Sequence, residues 1–242
     1  MPAAPEPTPD GAGAPAPGGD RIPGATVKRL PVYLRALTEA GDEGAVTISS
    51  ELLAARAGVN AAQVRKDLSF LGSYGTRGVG YDIDVLRHHV NRQLGLTREY
   101  KVALVGAGNL GQALGHYRGF AERGFNVVAA FDNDPAKVGT SLGSAPVHPM
   151  SSLEQVVRDE GITMALVATP GAVAQEVTDR LVEAGVTSLL TFAPAVLNVG
   201  PDVCVRKVDL AVELQILSYY QRPGVPGPGR RGRRRAVVAG RG

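Results

Sequence analysis

The sequence predicts an α/β protein in which a winged helix-turn-helix domain precedes a Rossmann-like domain built on a parallel sheet. Two observations predict this fold class. Residues 26–95 have apolar residues at helical spacing and one glycine-rich interruption. Residues 100–221 alternate short apolar runs with amphipathic helices, which is typical of βαβ units. Because a helix stops near Gly95, we expect the two domains to cover residues 25–96 and 97–221.

Composition indicates a cytoplasmic protein with a low-complexity segment at each end. The 242 residues include one cysteine, Cys204, which sits in an apolar alternation and is predicted to pack in the core. The sequence shows no secretory signal, no apolar run long enough to cross a membrane and no pair of cysteines for an internal disulfide. Residues 1–24 are rich in Pro, Ala and Gly, residues 222–242 are rich in Arg, Gly and Pro, and both are predicted to be disordered.

Net charge does not by itself indicate a nucleic-acid partner. The formal charge is +3, but residues 222–242 contribute +7 through seven arginines and residues 1–20 contribute −3. The remaining residues 21–221 therefore carry −1 in total. Evidence for DNA binding has to come from local charge instead.

Three helices are predicted in the N-terminal region. The first covers residues 27–40, and the second begins at residues 49–50 and ends before Gly58. Asn60 is the predicted N-cap of the third helix, and Gln63 completes a capping-box pattern. Two short helices joined by a glycine-containing turn make a helix-turn-helix.

The third helix has the features of a recognition helix. Val64, Leu68 and Leu71 share one face and are expected to pack in a core. Four polar side chains point elsewhere, and they are Gln63, Arg65, Lys66 and Ser69. Amide, cationic and hydroxyl groups of this kind contact base edges and phosphates in a major groove. Residues 56–80 carry a local charge of +3, which favours the same interpretation.

A glycine-rich segment, residues 73–81, follows the third helix and suits a tight hairpin, the wing of a winged helix. Arg77, next to Gly78, lies at its predicted tip, where an arginine can enter a narrow minor groove. The alternative is that the segment is only a linker and that Arg65 and Lys66 form a solvated face. A wing in this position favours DNA binding over that alternative.

A dinucleotide-binding fingerprint opens the C-terminal region. A β-branched-rich strand, residues 100–106, runs directly into a glycine-rich loop, which reads Gly106-Ala107-Gly108-Asn109-Leu110-Gly111. A helix over residues 112–123 and a strand over 126–131 are predicted to follow. Asp132 ends that strand 21 residues after Gly111, where an acid can hold the adenosine ribose. A carboxylate there favours NAD(H) over NADP(H).

Further βαβ units are predicted to complete the sheet. The strands cover residues 163–168, 188–192 and 203–208, and a helix covers 172–184. Two loops end strands at the carboxyl edge and are expected to flank the nicotinamide, and they are Thr169-Pro170 and Phe192-Ala193-Pro194. The last helix, residues 209–220, is strongly apolar and follows the complete sheet, so a partner subunit is a reasonable place to bury it.

The histidines argue against an enzyme. His88 and His89 lie on the helix before the first Rossmann strand, His116 is on the fingerprint helix and His148 is in a predicted loop, so none is an evident acid or base beside a nicotinamide. No catalytic domain follows the nucleotide domain, and no metal site is predicted. The alternative is a small NAD-dependent oxidoreductase, which would consume NADH with a simple carbonyl substrate.

The sequence resembles the Rex redox-sensing repressors over residues 21–221. Five runs carry the resemblance, and they are Val64-Arg65-Lys66-Asp67-Leu68-Ser69, residues 72–81, the fingerprint 106–111, Phe192-Ala193-Pro194 and Val208-Asp209-Leu210. The resemblance implies a homodimer whose C-terminal helices are exchanged between subunits and which binds a palindromic double-stranded operator. It implies that NADH releases the operator, whereas NAD⁺ competes without releasing it. It also implies a switch network of Arg35, Tyr117 and Asp209.

Overall fold

The computed structural model describes residues 22–72, 75–76 and 79–225. It contains eight helices and ten strands in that part of the chain. The helices are α1 (Gly24–Asp42), α2 (Ser50–Ala57), α3 (Ala61–Ser69), α4 (Ile83–Gln93), α5 (Asn109–Gly115), α6 (Leu153–Glu160), α7 (Gly171–Glu183) and α8 (Leu210–Tyr220). The strands are β1 (Thr47–Ile48), β2 (Gly75–Thr76), β3 (Gly80–Asp82), β4 (Tyr100–Val105), β5 (Phe125–Asp132), β6 (Ser141–Leu142), β7 (Ala145–Pro149), β8 (Met164–Val167), β9 (Ser188–Thr191) and β10 (Cys204–Lys207).

The chain divides into two compact units between Thr97 and Arg98. The N-terminal unit packs α1 to α4 around one apolar core, to which the first helix contributes Leu30, Tyr33 and Leu37. A small antiparallel sheet with the order β1-β3-β2 lies at its edge. Four helices and a three-stranded hairpin sheet form a winged helix, as the sequence predicts.

Side-chain caps fix where the helices of this unit begin. The Ser49 hydroxyl accepts from the backbone N–H of Leu52 at the start of α2. The Asn60 side chain accepts from the N–H of Gln63 at the start of α3. The capping box is only half formed, because the Gln63 side chain bonds Asp67 instead of the cap. The predicted starts of both helices are confirmed.

The C-terminal unit contains a seven-stranded sheet with the order β10-β9-β8-β4-β5-β7-β6. All pairs are parallel except the edge pair β6–β7. The strand order changes direction between β4 and β8. When the short edge strand β6 is left out, three strands lie on each side of this reversal, which is the Rossmann arrangement. Helices α6 and α7 cover one face through residues such as Leu153, Val157 and Leu181.

The structure corrects several details of the sequence prediction. The fingerprint helix is α5, which ends at Gly115 and does not continue to Arg123. A Cβ atom on Gly115 would lie 3.1 Å from Cβ of Leu142, so the end of α5 packs closely on β6. His148 lies in strand β7 rather than in a loop, and helix α6 was missed. Cys204 is exposed on the edge strand β10, so its predicted core packing is wrong.

None of the helices in the described residues is both long and apolar enough to cross a membrane. The described residues also contain no group of three or more His, Cys, Asp or Glu side chains placed to hold a metal ion.

Candidate nucleotide and DNA sites

The fingerprint loop lies at the reversal of the strand order. Gly106 follows β4, and Thr169 follows the neighbouring strand β8. A Cβ atom on Gly106 would lie 2.7 Å from the carbonyl oxygen of Ala168, so the two loops touch backbone to backbone. Gly106 also has a φ of +99°, which a residue with a side chain rarely adopts. Ligands of open α/β sheets bind at this kind of crevice.

The other two fingerprint glycines have opposite surroundings. A Cβ atom on Gly111 would lie 1.8 Å from the carbonyl oxygen of Gly106, so the loop closes only with glycine there. A Cβ atom on Gly108 would have no heavy atom within 4 Å. The backbone at Gly108 therefore faces open space, which is the space that a pyrophosphate needs.

Helix α5 leaves its first N–H groups available. Its N-cap is Gly108, and no side chain caps it. Asn109 and Leu110 are exposed, while Ala107 and Gly111 are buried beneath them. Uncapped N–H groups at a helix start favour an anionic ligand.

Asp132 closes the loop from the side of β5. One carboxylate oxygen accepts from the backbone N–H of Ala107 at 2.7 Å and from Lys137 Nζ at 3.3 Å, and the other accepts from the N–H of Asp134 at 2.8 Å. Burial raises the pKa of Asp132, but the hydrogen bonds from Asp134, Ala107 and Lys137 outweigh that effect and lower the pKa below its usual value. An ionised acid is thus held against the fingerprint loop.

The two loops predicted to flank the nicotinamide meet each other. A Cβ atom on Gly171 would lie 3.4 Å from Cγ of Pro194, and the Ala193 N–H donates to the hydroxyl of Thr191. The Thr169 hydroxyl is buried and has no hydrogen-bond partner in the described chain. Thr169 lies against Gly106, because a Cβ atom on Gly106 would meet Cγ2 of Thr169 at 3.3 Å. An orphaned hydroxyl at the strand reversal fits a polar ligand. Pro170 and Phe192 lie in the same pair of loops, next to Thr169 and Ala193.

The recognition helix α3 buries one face and exposes another. Val64 and Leu68 are buried, whereas Arg65, Lys66 and Ser69 are exposed and Gln63 is half-buried. The Ser69 hydroxyl donates to the carbonyl oxygen of Lys66. Arg65, Lys66 and Ser69 thus lie on the exposed side of α3, as the sequence predicts. Gln63 lies at the margin of that side, because its amide donates to the buried Asp67.

The positive charge of this surface is smaller than the sequence count suggests. Arg56 pairs with Glu43 at 2.5 Å, and Arg65 pairs with Glu51 at 3.1 Å. Both acids lie outside residues 56–80. The fold brings them into contact with the arginines. Lys66 makes no ion pair among the described residues. Arg77 and Gly78 lie outside the described residues.

Asp67 is the residue that sequence reasoning missed. It lies on α3 with 0% exposure, and it accepts from both Nε and Nη2 of Arg29 on α1. The hydroxyls of Thr26 and Tyr33 donate to the same carboxylate. An acid in the middle of a short basic helix was the available signal, because a buried charge requires partners.

The three residues of the implied switch network each have local partners. Arg35 pairs with Glu39 at 3.7 Å along α1. Tyr117 packs edge to face on Phe120 with ring centroids 4.9 Å apart. Asp209 caps α8 by accepting from the N–H of Val212 at 3.3 Å, and it pairs with Lys207. The network itself stays a prediction.

One face of the parallel sheet carries an apolar groove of about 460 Å³. It is lined by residues of β4, β5, β8 and β9, by Tyr117 and Phe120, and by Cys204 and Arg206 of β10. Helix α8, by contrast, has no buried residue, and Leu210, Leu214 and Leu217 are 63%, 66% and 57% exposed. The described chain thus has both an uncovered groove and an uncovered apolar helix.

Comparison with known proteins gives a match for each unit. Residues 21–69 match the family model described as putative DNA-binding protein N-terminus. Residues 97–195 match the family model described as CoA binding domain. The two matches fall on the winged-helix and Rossmann units.

Whole-chain relatives decide the family. A protein of Streptomyces coelicolor named redox-sensing transcriptional repressor Rex is 55% identical over 201 residues, which is 83% of this chain and 78% of that protein. A protein of Desulfitobacterium hafniense with the same name is 49% identical over 199 residues, 82% of this chain and 95% of that protein. The chain belongs to the Rex family. Its sequence resemblance to the redox-sensing repressors is thereby confirmed.

Solved structures of a Rex-family repressor have the same fold. One in complex with β-NAD⁺ and operator DNA superposes with a TM-score of 0.80 at 34% identity, covering 84% of this chain and 93% of that chain. One in complex with β-NADH gives a TM-score of 0.76 at 34% identity, covering 83% and 94%. The predicted fold class, a winged helix followed by a Rossmann-like domain, is confirmed.

Proposed function

We propose that this chain is a repressor that senses the balance of NADH and NAD⁺, binds a palindromic operator as a homodimer and releases it when NADH binds. The proposal rests on the open space at Gly108 and on the orphaned Thr169 hydroxyl, which both belong to loops at the strand reversal, in a chain whose N-terminal unit is a winged helix. The Rex-family structures with β-NADH and with β-NAD⁺ plus operator DNA support it.

The nucleotide site is assigned to the strand reversal. The N–H groups at the start of α5 bind the pyrophosphate, and Asp132 accepts from the adenosine ribose hydroxyls. The loops at Thr169-Pro170 and residues 192–194 hold the nicotinamide end. Asp132 already accepts from Ala107 N–H, so the same carboxylate shapes the loop and selects the ribose.

The DNA site is assigned to the outer side of α3 and to the wing. Lys66 and Arg65 bind phosphates, and Gln63 and Ser69 face base edges in the major groove. Arg77 and Gly78 complete the site on the strength of the sequence pattern alone. One such site per subunit requires a two-fold operator.

The dimer is inferred from two apolar surfaces. The groove over β4, β5, β8 and β9 has the apolar lining that an amphipathic or apolar helix requires, and α8 of the same chain does not fill it. Exchange of α8 between two copies buries both surfaces at once. The switch network of Arg35, Tyr117 and Asp209 is placed at this exchange, because Tyr117 lines the groove and Asp209 starts α8.

A sensor is favoured over the small oxidoreductase. The relatives are named as repressors. His88 and His89 lie on α4 of the DNA unit, the His116 ring bonds the carbonyl oxygen of Gln112, and His148 packs on Phe131. A protein that binds operator DNA works where the chromosome is, so we place it in the cytoplasm.

Calorimetric titration of NADH and of NAD⁺ into the full chain tests the ligand assignment. We expect one nucleotide per subunit and no consumption of NADH when simple aldehydes or ketones are added. Absence of heat with either nucleotide would remove the proposed site. Steady consumption of NADH with a carbonyl compound would establish the oxidoreductase instead.

A further inference from the structure

The buried carboxylate of Asp67 has five hydrogen-bond donors around it. Oδ1 accepts from Thr26 Oγ1 at 2.8 Å, from Arg29 Nη2 at 2.8 Å and from Gln63 Nε2 at 2.9 Å. Oδ2 accepts from Arg29 Nε at 2.6 Å and from the Tyr33 hydroxyl at 2.7 Å. Four of these five donor atoms belong to three residues of α1, because Arg29 donates twice, while Gln63 stands one turn earlier on α3 itself.

These donors hold Asp67 in its ionised form. Burial raises the pKa of Asp67, but the hydrogen bonds from Arg29, Tyr33, Thr26 and Gln63 outweigh burial and lower the pKa well below its usual range. An ionised carboxylate only accepts hydrogen bonds. Gln63 therefore has to turn its amide nitrogen, and not its oxygen, toward Asp67.

This constraint decides what Gln63 presents to a ligand. Its Oε1 atom has no hydrogen-bond partner among the described residues and remains an acceptor, while Nε2 keeps one further N–H. In a major groove, adenine offers an N6 donor next to an N7 acceptor, which an amide in this orientation can pair with twice. Guanine offers only acceptors on its major-groove edge, so it cannot donate to Oε1.

We propose that Asp67 is a positioning residue that fixes the Gln63 amide for adenine at one base pair of each operator half-site. The inference rests on the proposed DNA interface on α3. The Asp67–Arg29 pair joins the recognition helix to α1 and orients a reading side chain at the same time. It thereby links the packing of the domain to the sequence that the domain selects.

Sequence selection by the full-length chain tests this proposal. The probe is a pool of random-sequence DNA duplexes, enriched by binding to each variant and then sequenced. We expect the native chain to select adenine at one position of each half-site. Gln63→Ala should reduce the preference for that adenine by about 5-fold or more and leave the other positions unchanged.

Asp67→Asn should reduce the preference for adenine at the same position. An asparagine amide both donates and accepts hydrogen bonds, so it no longer determines which end of the Gln63 amide faces it. Tyr33→Phe is the matched control, since it removes one donor from Oδ2 and leaves the Oδ1–Gln63 bond in place. It should keep the adenine preference.

The double variant Asp67→Asn/Arg29→Met guards against misfolding, because it removes both charges and leaves no buried cation unpaired. An unchanged adenine preference in Gln63→Ala, or in a folded Asp67 variant, would overturn the inference. So would a loss of preference in Tyr33→Phe equal to that in Asp67→Asn. A native chain that enriches no sequence would instead overturn the DNA interface on which the inference rests.

Discussion

Individual glycines in the fingerprint have different tasks, and the structure separates them by what surrounds each one. Gly106 and Gly111 are required by the fold, because a side chain at either position would collide with backbone carbonyl oxygens. Gly108 has no heavy atom within 4 Å of its Cβ position and a φ of −73°, which any residue adopts. We therefore expect that only the ligand requires a glycine there.

Gly108→Val should therefore abolish nucleotide binding without unfolding the domain. The new side chain enters the space that we assign to the pyrophosphate, and we expect the Kd for NADH to rise more than about 10-fold. The thermal midpoint without nucleotide should stay within about 2 °C of the native value. Calorimetry and thermal melts measure the two quantities.

Gly111→Ala is the matched comparison, because it places a methyl group against the carbonyl of Gly106. That variant should lose thermal stability even without nucleotide. Native NADH affinity in Gly108→Val would show that the nucleotide lies elsewhere.

The positive charge of Lys66 on the recognition helix is expected to contribute to the salt dependence of operator binding. Lys66 is exposed and makes no ion pair among the described residues, so it is available for a phosphate. Lys66→Ala should weaken operator binding and reduce the slope of log affinity against log salt by about 1. Anisotropy titrations over a range of salt concentrations measure that slope.

Lys101→Ala removes the same charge from the Rossmann unit, where Lys101 pairs with Glu160 at 2.9 Å. We expect this control to leave the salt dependence unchanged. An equal change in slope for both variants would mean that the effect comes from net charge and not from a contact made by Lys66.

Helices and strands show how far periodicity and composition determine this fold. The starts of α2 and α3, the βαβ order and the acid after β5 were all predictable, because caps, alternation and glycine loops are local signals. Helix α6 has the same kind of signal in Leu153, Val156 and Val157 and could have been predicted. Strand β7 was harder, since Pro146 and Pro149 count against a strand.

Other features were not predictable because they depend on contacts between distant parts of the chain. Cys204 alternates with apolar neighbours, but β10 is an edge strand and its outer face has no covering element in the described chain. In the sequence, Arg56 and Arg65 indicate a basic surface. In the folded chain they form ion pairs with Glu43 and Glu51, which reduces the positive charge of that surface. The five bonds to Asp67 join residues up to 41 positions apart.

The ion pair between α6 and α7 predicts a specific loss of stability in acid. Arg180 donates to both oxygens of Glu154, with Nε to Oε1 at 2.5 Å, and also to the Met150 carbonyl. The hydrogen bond from Arg180 is the largest cause that lowers the pKa of Glu154, to about 2. Because the folded pKa lies below the unfolded value of about 4.3, the stabilisation is complete above about pH 5 and is lost as the pH falls toward 2.

Comparison with Glu154→Gln isolates that contribution. At pH 7 the variant should melt about 3 °C lower than the native chain, for a pair worth about 1 kcal/mol. The difference should shrink between pH 5 and pH 2. Glu160→Gln, which breaks an exposed pair, should show a smaller difference in melting temperature at pH 7. A difference in melting temperature between the native chain and Glu154→Gln that stayed constant down to pH 2 would show that the Glu154–Arg180 pair is not its cause.

The whole molecule combines two units with separate cores, and the response to nucleotide requires that they act together. The uncovered α8 and the uncovered groove are where we place that coupling. A change from 1% to 99% release requires that NADH prefer the released state by about 5.5 kcal/mol. A dimer interface in which both copies contribute a helix offers enough contacts for such a difference.

Leu214→Glu tests this assembly. Leu214 is 66% exposed in the single chain and becomes buried if α8 enters a partner's groove. We expect the variant to be monomeric by light scattering, to lose operator affinity at least 10-fold and to keep its NADH binding site. Gln215→Glu, on the same helix, adds the same charge at a polar position and should stay dimeric. A dimeric Leu214→Glu would place the interface elsewhere.

In the proposed sensor, the nucleotide bound to the Rossmann unit controls the affinity for DNA. The most direct measurement is fluorescence anisotropy of a labelled palindromic operator bound by the full chain at fixed salt, titrated separately with NADH and with NAD⁺. We predict release by NADH and retention with NAD⁺, and no release by NADH in Gly108→Val. Tight operator binding that neither nucleotide changed would contradict redox sensing by this chain.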